Sequence, residues 1–354
     1  MQIVRGHLQT YDWGPIDGLS AWTAPTGTPQ AELWFGSHPN GPSPLRDGDA
    51  LASTELPILT KILAAARPLS IQIHPPAAMA RAQYDVQQAD PGVPKLLSDP
   101  YAKAEILIAL EPFVILEGFR EPRRSAEVFS HLGAGMQAAT AALLADDIRA
   151  CVRTLLTLPL DDVVVNAERL PSAFGAAGLT EYEAGVIHDV AHYFPGDPGV
   201  FVAALLNART LAPGEAVYVD PGTVHAYVRG TGVEVMTNSD NVLRLGLTTK
   251  TIAVDAALAA LSLHGQPHPL SPPQIDGVVS YAPQDAPFRV DMVSAAGCRA
   301  ESGQARIVVG LQGRTTVADV ALQPGEGTLL AAAEPAIDVH AEGRAVVAHH
   351  SGPA

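Results

Sequence analysis

The spacing of apolar residues changes twice along this 354-residue chain, and the two changes limit what it can fold into. From residue 1 to about 122, short apolar runs are separated by Gly, Pro, Asn and Asp, as in Gly36-Ser-His-Pro-Asn-Gly-Pro-Ser43, which is the pattern of strands and turns. Glu105-Ile-Leu-Ile-Ala-Leu110 and Pro112-Phe-Val-Ile-Leu116 read as buried strands. From about 123 to 210 apolar residues recur at three- and four-residue spacing, most clearly from Met136 to Leu158, and predict helices. Asp197-Pro198 supplies a helix start, Asp as cap and Pro in the first turn. The β pattern returns from 211 to about 247, a helix follows over Val254 to Ser262, His264 to Pro273 reads as a linker, and a last β-rich segment runs to the end. The expected fold class is therefore mainly β with a helical insertion. A first β domain (1–122 and 211–262) is interrupted by a helical domain (123–210), and a second β domain (263–354) follows.

A short internal echo links the two β domains. Leu211-Ala-Pro-Gly-Glu-Ala-Val-Tyr-Val219 resembles Leu322-Gln-Pro-Gly-Glu-Gly-Thr-Leu-Leu330, which predicts two barrels of one kind. Without gaps, His225 of the first copy falls opposite Ala336 of the second. Only the first copy could then hold a metal there.

Composition closes off several functions. The net charge of −15 disfavours nucleic acid and anionic membranes as partners. The two cysteines, Cys151 and Cys298, are far apart, so neither a disulfide framework nor a thiolate cluster is expected, and a reducing, cytoplasmic setting fits. The start of the chain does not resemble a signal peptide, and no apolar run approaches the roughly 20 residues of a membrane helix. Only four lysines stand beside eighteen arginines, so each lysine is worth checking for a role arginine cannot fill.

Within Arg67-Pro-Leu-Ser-Ile-Gln-Ile-His-Pro-Pro76, Gln72 and His74 lie two residues apart, hence on one face of a strand, and two prolines end the strand. Glu105 opens a buried strand, where a lone carboxylate is costly. His225 follows the Pro-Gly turn of Val219-Asp-Pro-Gly-Thr-Val-His-Ala-Tyr227. Two imidazoles, a carboxylate and an amide oxygen make a mixed N/O donor set that suits a catalytic zinc site with room for substrate, and by donor type also Mn, Fe, Co or Ni. Arg244, Lys250, Lys103 and Lys61 are cations near these segments, and on an acidic protein such a cluster suits a small anionic substrate. His349 and His350 read as surface residues.

Six blocks carry a resemblance: Tyr11-Asp-Trp-Gly14; Ala31-Glu-Leu-Trp-Phe-Gly-Ser-His-Pro-Asn-Gly-Pro-Ser43; Pro68-Leu-Ser-Ile-Gln-Ile-His-Pro75; Gly118-Phe-Arg120; Pro221-Gly-Thr-Val-His-Ala-Tyr227; and Ser239-Asp-Asn-Val-Leu-Arg244. In this order they are similar to the motifs of type I phosphomannose isomerases, over about residues 3 to 255. The resemblance implies a cupin (jelly-roll) β-barrel, an inserted α-helical domain and a second, smaller cupin-like domain. It implies one zinc ion per chain on Gln72, His74, Glu105 and His225. It implies catalytic roles for Arg244, Lys103, Asp240 and Glu234, and substrate contacts from Lys61, Lys250, Trp13, Ser70 and Tyr227. The activity implied is interconversion of mannose 6-phosphate and fructose 6-phosphate through an enediol, on a small sugar phosphate, by a monomer or alternatively a homodimer. One block departs from the family: its usual Asn-His-Lys-Pro-Glu is Tyr101-Ala-Lys-Ala-Glu105 here, with Ala102 for the His and Ala104 for the Pro. Other readings are a different cupin metalloenzyme, whether an oxygenase or another sugar-phosphate isomerase, and a cupin that binds metal and sugar without turnover.

Overall fold

The computed structural model describes residues 1–48, 56–133, 135–263 and 268–351. Its strands form two antiparallel systems. In the first, the order is His268–Leu270, Ala216–Val219, Glu105–Ala109, His225–Thr237, Ile58–Ala65, Glu32–Phe35 and His7–Gln9. The strand His225–Thr237 belongs to both halves of this barrel. Its later part pairs with Ile58–Ala65 and Glu105–Ala109, and its earlier part with Phe113–Phe119 and Gln72. Gly230 makes the corner: its φ is +136°, and a Cβ there would lie 2.7 Å from the Phe113 backbone, so only glycine turns the strand here.

Alternation along these strands sends successive side chains to opposite sides. Ile62, Ile106 and Val233 face outward and share a core with Phe288, Ile307 and Val346 of the second system. Val114, Leu116, Ala226 and Val228 also face outward, but they pack against helix residues such as Phe129, Val152, Phe174 and Phe201. Leu63, Leu107, Phe113, Ile115, Val217 and Tyr227 face inward and close one end of the barrel. The first barrel is thus held between the second β unit and the helices, and its interior polar residues cluster above an apolar floor.

The helical segments run from Pro122–Ser130 to Gly199–Ala204. The stretch expected as one pattern from Met136 to Leu158 is two helices, Gln137–Leu144 and Ile148–Leu156. They part at Asp146 and Asp147; the Asp147 side chain caps the second helix by accepting from the Ala150 N–H at 2.9 Å. A helix that the strand-and-turn pattern did not predict, Ala77–Ala89, follows the Pro75-Pro76 pair. Cys151 lies in the helical core, where burial pushes its thiol up to about 12, so it is not a reactive nucleophile. No helix among the described residues is long and apolar enough to cross a membrane.

The second system runs Gln2–Arg5, Glu326–Leu330, Arg306–Gln312, Ile337–His350, Phe288–Ala300, Val278–Tyr281 and Gln274–Ile275. The first strand of the chain is thus an edge of the C-terminal sheet. The sequence echo corresponds to a shared turn. Ala212 N–H donates to Glu215 Oε2 at 2.8 Å and Gln323 N–H to Glu326 Oε2 at 2.9 Å. In each copy the glutamate N–H returns a bond to the carbonyl of the residue three earlier. Of the segment read as a linker, residues 264–267 lie outside the described residues, while His268–Leu270 is a strand paired with Ala216–Tyr218. His349 and His350, expected at the surface, are buried. Ile337–His350 is a central strand, flanked by Phe288–Ala300 and Arg306–Gln312, and its last residues are shielded by them.

Candidate metal centre

Three strands bring the predicted donors together. Gln72 is the register partner of His225 on one side and of Arg244 on the other, so all three side chains share a face. Glu105 starts the strand Glu105–Ala109 and pairs with Met236 and Val219. The regular strand at Gln72 is only two residues long, Gln72–Ile73, and His74 follows it into the same cavity.

His74 Nε2 lies 3.2 Å from Glu105 Oε2 and His225 Nε2 lies 3.0 Å from Glu105 Oε1. One ligand atom from each residue falls within 4.8 Å of the others, and all three residues are buried. The outer nitrogens fix the tautomers. His74 Nδ1 donates to the Asn241 carbonyl at 2.8 Å, and His225 Nδ1 donates to the Thr223 carbonyl at 3.0 Å. Each Nε2 is then a lone-pair donor to a metal. Burial, and next the Lys103 ammonium, hold His74 neutral by lowering its pKa to about 4. Burial opposes the charge on Glu105, but Lys103 and the imidazoles outweigh it and keep the carboxyl well below the usual carboxylate range. The Nε2 atoms of His74 and His225 therefore face one carboxylate, an arrangement that a cation between them would satisfy. His74 Nε2 is buried with no hydrogen-bond partner. Gln72 gives its Nε2 to Ser70 Oγ at 3.3 Å, which leaves its carbonyl oxygen for the fourth position. This donor set fits zinc in a catalytic rather than a structural site.

Charged groups surround the centre. Lys103 Nζ is 2.7 Å from Glu105 Oε2. Lys61 Nζ is 2.7 Å from Glu234 Oε2 and 3.7 Å from Glu32 Oε1, and it lies 5.2 Å from the centroid of the Trp34 ring. Burial opposes the Lys61 charge, yet Glu234 and Glu32 outweigh it and raise its pKa. Arg244 is half-buried; burial alone lowers its pKa, and it has no carboxylate partner among the described residues. Asp240 sits at the rim with a third of its side chain exposed, 3.2 Å from His38 Nε2. Burial opposes its charge, but His38 and Asn40 hold its carboxyl below the usual value.

The remaining expected residues lie at different distances from this network. Tyr227 gives its hydroxyl to Glu105 Oε1 at 3.1 Å and is buried, so it braces a candidate metal donor. Trp13 packs on the barrel floor and stacks on Tyr11 with centroids 5.7 Å apart. Lys250 is exposed beyond the strand pair that carries Arg244. Sequence reasoning passed over Glu32, which accepts the Trp34 indole N–H at 2.7 Å, and His38. Both lie in the quoted Ala31 to Ser43 block; Glu32 and Trp34 are two residues apart on the strand Glu32–Phe35, so the face argument used for Gln72 and His74 would have found Glu32, whereas His38 lies in the loop after that strand.

Comparison with known proteins agrees with this geometry. The profile of the phosphomannose isomerase type I catalytic domain matches residues 48–122. The mannose-6-phosphate isomerase of Escherichia coli is 31% identical over 97% of this chain and 98% of its own length. A crystal structure of a mutant phosphomannose isomerase from Salmonella typhimurium superposes with a TM-score of 0.86 at 27% identity, over 99% of both chains. A mannose 6-phosphate isomerase structure bound with zinc and yttrium aligns with a TM-score of 0.84, also at 27% identity over 99% of both chains. With the donor set, the fold and the near full-length likeness in hand, the chain belongs to the type I phosphomannose isomerase family.

Proposed function

We propose that this protein is a zinc-dependent aldose–ketose isomerase that interconverts mannose 6-phosphate and fructose 6-phosphate through an enediol. The observation that carries the reading is the convergence of His74 Nε2, His225 Nε2 and Glu105 beside a half-buried Arg244 with no carboxylate partner among the described residues. Gln72, His74, Glu105 and His225 would hold the zinc. Bound there, zinc supplies Lewis-acid polarisation of the sugar oxygens next to the reacting carbons. Lys61 stays charged between Glu234 and Glu32 and offers a fixed positive site for an anionic substrate. Arg244, on the strand next to Gln72, is placed to stabilise the negative oxygen of the enediolate.

A base must carry a proton between the two carbons. Three candidates differ in their surroundings. Glu234 is buried against Lys61 and Lys103 against Glu105, whereas Asp240 is ionised and reaches the cleft mouth. That difference supports Asp240 as the proton carrier, with Glu234 and Lys103 setting the field around it. Because one chain supplies all four donors, the reading needs only a monomer. Two free cysteines go with a reducing, cytoplasmic setting.

The test is a coupled assay of mannose 6-phosphate conversion on zinc-loaded protein, on chelator-treated protein, and after zinc is returned. Activity lost to chelator and restored by zinc is the expected result. A zinc-loaded, folded protein without turnover would overturn the isomerase assignment.

A further inference from the structure

The segment that delivers Lys103 and Glu105 to the metal centre, residues 98–104, has no regular secondary structure. Such a segment holds two charged side chains in place only if its main chain is pinned. Two side chains from the end of the neighbouring strand His225–Thr237 and the loop after it meet it. The Thr237 hydroxyl accepts from the Ala104 N–H at 3.1 Å and donates to the Ala102 carbonyl at 3.0 Å. One hydroxyl thus ties the peptide groups on both sides of Lys103. The ladder continues through the main chain, with the Thr237 N–H on the Ala104 carbonyl at 3.0 Å. Further along, Asn241 gives its amide N–H groups to the carbonyls of Asp99 and Tyr101 at 2.7 and 2.8 Å and accepts from the Ser98 N–H at 2.8 Å. The main-chain carbonyl of the same Asn241 holds His74 Nδ1.

We infer that Thr237 is a positioning residue of the metal centre: its hydroxyl locks the main chain at 102–104, so that Glu105 and Lys103 meet His74 and His225 in one geometry, while Asn241 anchors the other end. The physics explains why a hydroxyl is needed here. Ala104 is buried, so its N–H must find a partner, and alanine leaves φ free, where a proline would have no N–H and a fixed φ. Thr237 does by hydrogen bonding what a proline at 104 would do by its ring. Thr237 also sits one residue beyond Met236, the register partner of Glu105, so any slip at 104 is passed directly to the ligand.

This inference rests on the zinc reading, but its test does not need turnover. Zinc affinity is measured by competition with a chromophoric chelator, and the visible spectrum of the cobalt-substituted protein reports ligand geometry. Thr237→Val keeps the shape and removes the hydroxyl; the loss of such an outer-shell partner is expected to weaken zinc binding about 10-fold and to shift the cobalt bands. Thr237→Ser keeps the hydroxyl and should match the wild type. Ala104→Pro added to Thr237→Val removes the orphaned N–H and fixes φ, so most of the affinity should return. Wild-type affinity in Thr237→Val would overturn the inference, as would a double variant no tighter than Thr237→Val alone. If Thr237→Val fails to fold, Thr237→Ser still decides: a folded serine variant that keeps the hydroxyl yet binds zinc about 10-fold more weakly would overturn the inference. A wild-type protein that binds zinc without isomerase activity would sink the proposed reaction and leave this inference standing.

Discussion

Lys61 and Glu234, on neighbouring strands and directly opposite in register, form an ion pair of 2.7 Å inside the barrel. Both side chains are almost wholly shielded from water, and Glu32 approaches the same ammonium from the other flank. Replacing Lys61 with Met keeps the aliphatic stem under Trp34 but leaves two carboxylates facing each other with no cation. Removing one member of such a buried pair costs about 3–5 kcal/mol. The variant should unfold at clearly lower denaturant, and Glu234→Gln in the same background should recover part of the loss, because it removes the stranded charge. Denaturant titrations of the three proteins check this. Equal midpoints for Lys61→Met and wild type would mean that the pair adds nothing to the fold.

Arg244 is expected to act on turnover and not on the metal. Its strand partner is Gln72, yet its guanidinium has no counter-charge among the described residues and has already lost part of its hydration. A cation kept in that state is poised for a charge that appears during reaction. Arg244→Ala should lower kcat by about 10²–10³, the range seen when a donor to a developing oxyanion is removed. Zinc content by elemental analysis should stay that of the wild type. A variant with normal kcat and a raised KM would instead make Arg244 a contact for the phosphate.

The candidate metal donors stood out in the sequence because each breaks a local pattern: Gln72 and His74 interrupt an apolar run, Glu105 heads one, and His225 follows a Pro-Gly turn. The two-part β architecture and the helical block were legible from periodicity for the same reason. What stayed hidden depends on register between distant strands. Nothing local says that Lys61 faces Glu234, or that the Thr237 hydroxyl reaches the peptide groups around Lys103. The helix Ala77–Ala89 was hidden by the two prolines before it, which end a strand and serve equally well as a helix entry. His349 and His350 looked exposed because they stand near the end of the chain, whereas their burial comes from two flanking strands.

That burial has a consequence at low pH. Asp291 accepts from Ser280 Oγ at 2.6 Å and from Arg289 at 3.1 Å, and pairs with His349 Nε2 at 2.9 Å. Burial would raise the Asp291 carboxyl, but His349 and Ser280, followed by Arg289, outweigh it and leave the carboxyl below its ordinary value of 3.8. A carboxyl depressed in the folded state adds stability that is fully present above its unfolded value and is lost as the pH falls through the folded one. Asp291→Asn keeps the shape and cannot ionise. It should cost about 2 kcal/mol near neutrality, the scale of a charged hydrogen bond in a shielded site. The gap between wild type and variant should stay constant on acidification to about pH 4 and close below it. Denaturant midpoints of both proteins across that range give the answer. A gap that widens as the pH falls would mean that another group governs the acid response of the C-terminal sheet.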